Sequence, residues 1–209
     1  NMAEAGSHEA GHNFGLSHDG CNVASASCGG GTGYYQGHGN WAPIMGVGYY
    51  EPIVQWSSGE YALANNTEDD KAIITTNAPY VADEDSNTLA TARYLGVSYG
   101  QVQYGSGIIT GTSDFDYFRF YAAEAGTMQL SVTPAPNSPN LDARLHLYNS
   151  AGAQIAFADP VSGQVSSDVA SGLDASITYN LPTAGNYYIA VDDAQTDYTG
   201  DTGYTYYGS

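Results

Sequence analysis

Hydrophobic and polar residues alternate with a period of two along most of the second half of the chain. Such alternation is typical of β-strands with one buried face, because successive side chains of a strand point to opposite sides. Clusters of Gly, Pro, Asn and Ser separate these segments, as at residues 149–152 and 182–185. Short strands at near-regular spacing with such turns predict an antiparallel β-sandwich. The alternating segments are residues 116–121, 128–132, 141–148, 155–157, 177–181 and 187–191.

The first part of the chain has a different pattern. Residues 2–12 form a helix-compatible run, and residues 20–56 are rich in Gly, Tyr and Asn and predict a long irregular loop. The acidic segment 82–87 is the expected linker between the two parts. The sequence therefore predicts a first domain over residues 1–81 and the sandwich over residues 88–209.

Two further short helices are expected in the first part. Residues 57–60 resemble a helix start, with Tyr61, Leu63 and Ala64 as candidate buried positions. Thr67 is followed by three acidic residues, a pattern of an N-cap with an acidic first turn that the helix dipole favours. We expect this second helix to end before Pro79.

Charge and cysteine content narrow the class of protein. The chain has 22 acidic residues against four basic ones, for a net charge of −18. Such a surface repels nucleic acid and anionic membranes, and no apolar run of about 18 residues is present to span a bilayer. Cys21 and Cys28 could form a short disulfide, as fits a secreted protein, whereas their spacing does not match a zinc-binding CxxC pair.

The residues that carry chemistry lie in the run from His8 to Asp19, HEAGHNFGLSHD. On a helix, His8 and His12 lie one turn apart on the same face, so both imidazoles can reach one ion. Gly15 can end the helix in a left-handed conformation and direct His18 back as a third ligand. Three nitrogen donors leave one coordination position open, which indicates a catalytic zinc site. We expect zinc to activate a water and Glu9 to act as its general base.

This motif resembles the metzincin metallopeptidases, whose pattern is HExxHxxGxxH followed by a Met-containing turn. Asp19 after the third His is similar to the adamalysin (reprolysin) branch, in which that acid is structural. The resemblance implies that Met45 is the Met-turn residue, a hydrophobic floor under the three imidazoles. Some metzincins place an oxyanion-binding tyrosine two residues after that Met. Val47 holds this place here, so Tyr49 and Tyr50 are interpreted as walls of the substrate pocket or as packing.

The second part resembles the bacterial pre-peptidase C-terminal domain, a β-sandwich appended to many secreted peptidases. The resemblance rests on residues 111–120, 141–148 and 184–191. Collagen-binding modules of collagenases look similar and bind calcium through acids of the linker and before a strand. The resemblance implies calcium as a second metal, although a solvated linker with turn-forming aspartates would give the same pattern. The candidate calcium ligands are Asp83, Asp85, Asn87, Asp114 and Asp116. His146 lies on the polar side of a strand and is interpreted as unrelated to zinc.

These observations together predict an α+β chain: the C-terminal part of a metzincin catalytic domain, with zinc helix, Met-turn loop and short helices, followed by the antiparallel sandwich. The expected function is that of a secreted, bacterial zinc endopeptidase acting on protein or peptide substrates. A metzincin catalytic domain also has an N-terminal half, so we expect the chain to be a fragment that partners with it. The alternative is a non-catalytic extracellular adhesive or structural protein, or a proteolytic fragment, that retains the zinc helix.

Overall fold

The computed structural model describes residues 2–83, 85–97, 102–111 and 113–194. Glu84 of the predicted linker and residues 195–209 of the predicted sandwich lie outside the described residues. The described part contains two α-helices, α1 (Met2–Phe14) and α2 (Asp70–Thr75), and thirteen strands. The strands of the first part are β1 (Trp41–Pro43) and β2 (Ile53–Gln55). Those of the second part are β3 (Arg93–Tyr94), β4 (Gly96–Val97), β5 (Gln103–Tyr104), β6 (Asp116–Ala122), β7 (Gly126–Val132), β8 (Ala143–Tyr148), β9 (Gln154–Ala158), β10 (Gly163–Ser166), β11 (Val169–Ser171), β12 (Ala175–Leu181) and β13 (Gly185–Asp193).

The regular elements of the second part are almost all strands, consistent with a β-sandwich. A five-stranded sheet has the order β3-β6-β13-β8-β9, and a second layer is formed by β12 and β7. All these neighbours run antiparallel except the short β3, which pairs with β6 in parallel. The predicted alternation is confirmed, because its apolar positions fill the space between the layers. The buried core residues are Leu95, Phe118, Phe120, Leu145, Leu147, Ala175, Ile177, Leu181, Tyr187 and Val191.

The polar side of β8 is also buried. His146 is only 9% exposed, because it lies 2.8 Å from a carboxylate oxygen of Asp192 and packs beside the ring of Phe157. Arg144 completes this group through an ion pair with the same Asp192 carboxylate. The pairing of β8 with β9 shifts register between Leu147 and Tyr148, where Ile155 is the extra residue of β9. Alternation alone did not indicate that this outer face carries a paired, buried charge cluster.

The loop of the first part has its own small core. The parallel pair β1 and β2 lies at its centre, and a disulfide joins Cys21 to Cys28. The prediction of a helix that begins at residue 57 is wrong, because these residues form a turn. The carboxylate of Glu60 instead accepts hydrogen bonds from the Ser57 hydroxyl and the Ser58 backbone N–H, which closes a turn. The buried residues of this core are Cys21, Cys28, Tyr35, Trp41, Ile53, Tyr61 and Leu173.

The helix expected after Thr67 is present but begins later. Its N-cap is Asp69, whose side chain accepts a hydrogen bond from the Ala72 N–H at 2.8 Å. The cap is therefore Asp69 and not Thr67, and the next residue is tied to the preceding loop because the Asp70 N–H donates to the Ser57 carbonyl at 3.1 Å. Among the described residues, no helix has the length and apolar character that crossing a bilayer requires.

The two parts are in contact despite the linker. Leu173 of the sandwich is buried in the core of the first part. The Gln55 side chain donates to the Asn140 carbonyl at 2.7 Å, and Lys71 Nζ donates to the Thr110 carbonyl at 2.9 Å. The position of the metal-binding motif is therefore fixed relative to the sandwich by packing and by hydrogen bonds.

Candidate metal centre

The end of α1 directs the chain back toward its own last turns. Gly15 has φ +97°, a left-handed conformation that costs a glycine little. Its N–H donates to the His12 carbonyl at 3.0 Å, and the Leu16 N–H donates to the Gly11 carbonyl at 3.1 Å. This pair of bonds is the Schellman arrangement that ends many helices. The reversal places His18 beside the helix face that carries His8 and His12.

The three imidazoles converge on one point. Each of His8, His12 and His18 offers a nitrogen, and these atoms all lie within 4.8 Å of one another. The Nε2 atoms of His12 and His18 are 3.0 Å apart. Ring centroids are separated by 4.9 Å for His8 and His12, by 5.2 Å for His8 and His18, and by 4.7 Å for His12 and His18.

Backbone carbonyls fix the protonation of two of these rings. Nδ1 of His8 lies 2.8 Å from the Ile44 carbonyl, and Nδ1 of His12 lies 2.8 Å from the Leu16 carbonyl. A carbonyl only accepts, so Nδ1 must carry the proton and the Nε2 lone pair is left for a metal. Burial, together with the neighbouring His12 and His8, lowers the pKa of His18 and favours its neutral form. Three imidazole nitrogens in this arrangement fit a tetrahedral zinc ion with one open position.

Met45 packs against α1 at Gly11, the residue before His12. It is fully buried, and a Cβ built on Gly11 would lie 2.4 Å from its Sδ atom. The Trp56 ring and the Leu16 side chain close the same space at 3.1 and 3.3 Å from that Cβ position. The helix can pack this closely on Met45 only because residue 11 has no side chain. The sequence predicts Met45 under the three imidazoles but does not predict the role of Gly11. The only sign of that role in the sequence is a glycine inside a helical segment.

Glu9 lies on the open side of the centre. It is exposed and lines, with His8, a cavity of about 440 Å³. The opposite walls are Tyr34, Gln36 and Tyr49. Glycines 29, 31, 33 and 46 also line it and leave room for a chain to enter. Tyr50, the other expected wall residue, is 55% exposed and is not among the residues that line the cavity.

Asp19 lies within a buried acidic group. It is 2% exposed, and its N–H donates to the Met45 carbonyl at 2.9 Å, which joins the third histidine to the Met turn. Burial raises the pKa of Asp19 to about 8, with Asp70 and Glu60 adding to the shift. Burial also raises the pKa of Asp70 to about 7, although the Ser57 N–H bonded to its carboxylate opposes this. These carboxyls therefore hold protons that exposed acids would lose.

A second group of possible ligands lies where the linker meets the sandwich. Carboxylate oxygens of Asp83, Asp114 and Asp116 lie within 4.8 Å of one another. Asp114 and Asp116 are 6% and 3% exposed, and one oxygen of each is buried without a hydrogen-bond partner in the described part of the chain. Burial, followed by the charges of Asp85, Asp114 and Asp83, raises the pKa of Asp116 to about 7. A divalent cation would relieve this repulsion.

The other two expected calcium ligands have partners of their own. Asp85 forms an ion pair with Arg93 at 2.6 Å. The Asn87 side chain accepts from the Phe115 N–H at 2.8 Å and donates to Asp83 at 3.0 Å. Both residues support the group of three rather than converge with it. The remaining histidines lie apart from the triad: Nδ1 of His38 is 2.9 Å from the Tyr35 hydroxyl, and His146 contacts Asp192.

Comparison with known proteins bears on the second part of the chain. The family model of the bacterial pre-peptidase C-terminal domain matches residues 114–193. These residues run from just before β6 to the end of β13. Searches of curated proteins and of solved structures give no significant match to the chain.

Proposed function

We propose that this chain carries the metal-binding and catalytic residues of a secreted zinc endopeptidase of the metzincin type. The observation that supports this most strongly is the convergence of His8, His12 and His18, with Glu9 beside them at an open cavity. The sequence features in favour are the extended HExxHxxGxxHD motif and Met45 at the floor of the site.

Zinc in this position would polarise the carbonyl of a peptide bond and make a water molecule more acidic. Glu9 is adjacent in sequence to His8 and exposed to the cavity, so its carboxylate can accept a proton from the attacking water and deliver it to the leaving amine. The Ile44 and Leu16 carbonyls hold two imidazoles in the required tautomer. The cavity walls would bind the substrate chain.

Secretion is supported by two features of this chain. The Cys21–Cys28 disulfide fits an oxidising compartment. The match of residues 114–193 to a domain described as bacterial and pre-peptidase supports an extracellular bacterial peptidase, with the sandwich serving targeting, secretion or maturation.

Calcium is the second metal of the proposal. Asp83, Asp114 and Asp116 supply oxygen ligands, which a hard cation prefers. Two of the three are buried, so the charge of the ion would replace the missing hydrogen bonds of their carboxylates. Its expected role is to hold the linker against the sandwich.

The test is a peptidase assay on the full-length protein, freed of any inhibitory segment and loaded with zinc. Cleavage of an unstructured protein substrate should stop when a chelator removes the metal and return when zinc is added back. One zinc per chain should be found by metal analysis. A zinc-loaded protein that cleaves nothing would favour the adhesive or structural alternative.

A further inference from the structure

The ring of Tyr34 lies beside two imidazoles of the triad. The ring of Tyr34 is 4.4 Å from the ring of His18 and 6.3 Å from that of His8, between centroids. Tyr34 also lines the same cavity as Glu9. Tyr49 lines this cavity too, but in the described part of the chain its ring makes no contact with the three imidazoles. Tyr34 is therefore the cavity tyrosine placed beside the metal-binding atoms.

The backbone next to Tyr34 is fixed by both halves of the site. The Tyr35 N–H donates to the Asp19 carbonyl at 2.7 Å, and the Val47 N–H donates to the Tyr35 carbonyl at 2.8 Å. Residue 35 is thus tied to the residue after the third histidine and to the Met turn. Its side chain is buried and stacks on Tyr61, with centroids 4.0 Å apart. Tyr34, in contrast, remains 44% exposed at the cavity.

The hydroxyl of Tyr34 is available for a ligand. The hydroxyls of Tyr35, Tyr61 and Tyr187 lie 2.9 Å from Nδ1 of His38, the Gly20 carbonyl and the Thr183 carbonyl, respectively. Within the described residues, the Tyr34 hydroxyl makes no such bond. Its ring is held in place by the imidazoles, while its O–H donor is left to face the cavity contents or solvent.

Peptide hydrolysis needs a donor of this kind. As water adds to the peptide carbonyl, the carbonyl oxygen gains negative charge, and a fixed donor near that oxygen stabilises the transition state more than the substrate. Glu9 is an acceptor when ionised and cannot serve this purpose. Of the side chains lining the cavity, Tyr34 combines an O–H donor with contact to the triad.

We propose that Tyr34 is a catalytic residue of this centre, donating a hydrogen bond to the carbonyl oxygen of the scissile peptide as that oxygen becomes negative. No proton is transferred to or from Tyr34: water adds across the carbonyl, Glu9 moves the proton, and the amine leaves. This role rests on the proposed peptidase function.

The experiment compares Tyr34→Phe with the parent in the full-length, zinc-loaded protein. The phenylalanine keeps the ring beside His18 and removes only the hydroxyl. We expect kcat/KM for a peptide substrate to fall by about 10²-fold, as for loss of one oxyanion donor, with kcat carrying the loss. Zinc content and zinc affinity, measured by competition with a chelator, should not change. Tyr50→Phe, one exposed phenol outside the cavity lining, is the matched control and should retain parental activity.

A second readout is independent of turnover. A peptide phosphonate imitates the charged, tetrahedral transition state, and calorimetry should show that Tyr34→Phe weakens its binding by a similar factor while binding of the cleaved peptide is unchanged. An active parent with unaltered turnover and phosphonate affinity in Tyr34→Phe would overturn the role of Tyr34 and leave the peptidase function intact. Loss of zinc from Tyr34→Phe would also overturn the catalytic role of Tyr34, because the hydroxyl would then be needed to keep the three histidines bound to the metal. An inactive zinc-loaded parent would overturn the peptidase function itself.

Discussion

Met45 packs so closely on Gly11 that a methyl group at residue 11 would lie 2.4 Å from its sulfur atom. The two residues are joined by this contact although the loop with the disulfide separates them in sequence. Gly11 lies between His8 and His12 on α1. The distance between the helix and Met45 therefore sets the position of both imidazoles. The contact therefore couples the packing of the first part to the geometry of the candidate metal centre.

The first prediction concerns this contact. Gly11→Ala should destabilise the protein by up to about 2 kcal/mol, because overpacking costs about 1–3 kcal/mol and the gain in helix propensity returns about 1 kcal/mol. Gly6→Ala in the same helix is the matched control. Nothing lies within 4 Å of a Cβ at Gly6, so that variant should be stabilised by up to about 1 kcal/mol. Urea unfolding measures both, and equal stabilisation by the two substitutions would contradict the close contact.

The second prediction concerns the buried carboxyl of Asp70. Its pKa is raised from 3.8 to about 7 in the folded protein, so the folded state keeps a proton that the unfolded state releases between these values. The stabilisation is complete below pH 3.8 and is lost as the pH rises through 7. In this window the free energy of unfolding should fall by at most about 1.4 kcal/mol per pH unit on account of Asp70.

Asp70→Asn tests this directly. The amide oxygen can still accept from the Ser57 N–H, and no charge forms at any pH. Urea unfolding between pH 4.5 and 8 should show a flatter dependence on pH for Asp70→Asn than for the parent. Asp168→Asn, at an exposed position, should leave the parental slope unchanged. If Asp70→Asn has the parental slope as well, Asp70 is ionised in the folded protein.

Local patterns were sufficient to predict α1 and the longer strands of the second part. The helix expected at residues 2–12 is α1, and the alternating segments became β6, β7, β8, β9, β12 and β13. In each case the signal lies within a few neighbouring residues, where the period of the backbone decides which side chains share a face. The spacing of the three histidines likewise predicted that they lie close together, because one helical turn separates the first two and a reversal at Gly15 brings back the third.

Features that depend on distant partners were not predictable in this way. The turn at Glu60 forms because its carboxylate satisfies the Ser57 and Ser58 donors, a competition that composition does not reveal. The importance of Gly11 depends on Met45, and the position of Tyr34 depends on backbone bonds of its neighbour to two other segments. Spacing identified the candidate ligands, and tertiary packing determined what surrounds them.

The third prediction concerns calcium at Asp83, Asp114 and Asp116. Calcium should raise the melting temperature, and a concentration 100 times the Kd would add about 2.7 kcal/mol to the free energy of unfolding. Asp116→Asn should abolish this response. Without calcium the same variant should be at least as stable as the parent, because one of three repelling carboxylates has lost its charge.

Differential scanning calorimetry with calcium, with magnesium and with chelator measures the response. Asp168→Asn serves as the control and should respond to calcium as the parent does, since it lies outside the group of three. A melting temperature that is the same with calcium and with chelator would contradict the proposed site.

The last prediction separates an enzyme from a scaffold. Glu9→Gln in the full-length protein should leave zinc bound, because Glu9 is not one of the three converging ligands and the amide is nearly isosteric. What is lost is the carboxylate that moves the proton from the attacking water to the leaving amine. General acid–base catalysis contributes about 10²–10⁴-fold, so kcat/KM should fall by at least that factor. Glu4→Gln, at the other acid of α1, is the matched control and should retain activity. Proteolysis that persists in zinc-loaded Glu9→Gln would show that another group moves the proton. If the parent has no activity, the parent, Glu9→Gln and Glu4→Gln would not differ, and the result would favour the scaffold.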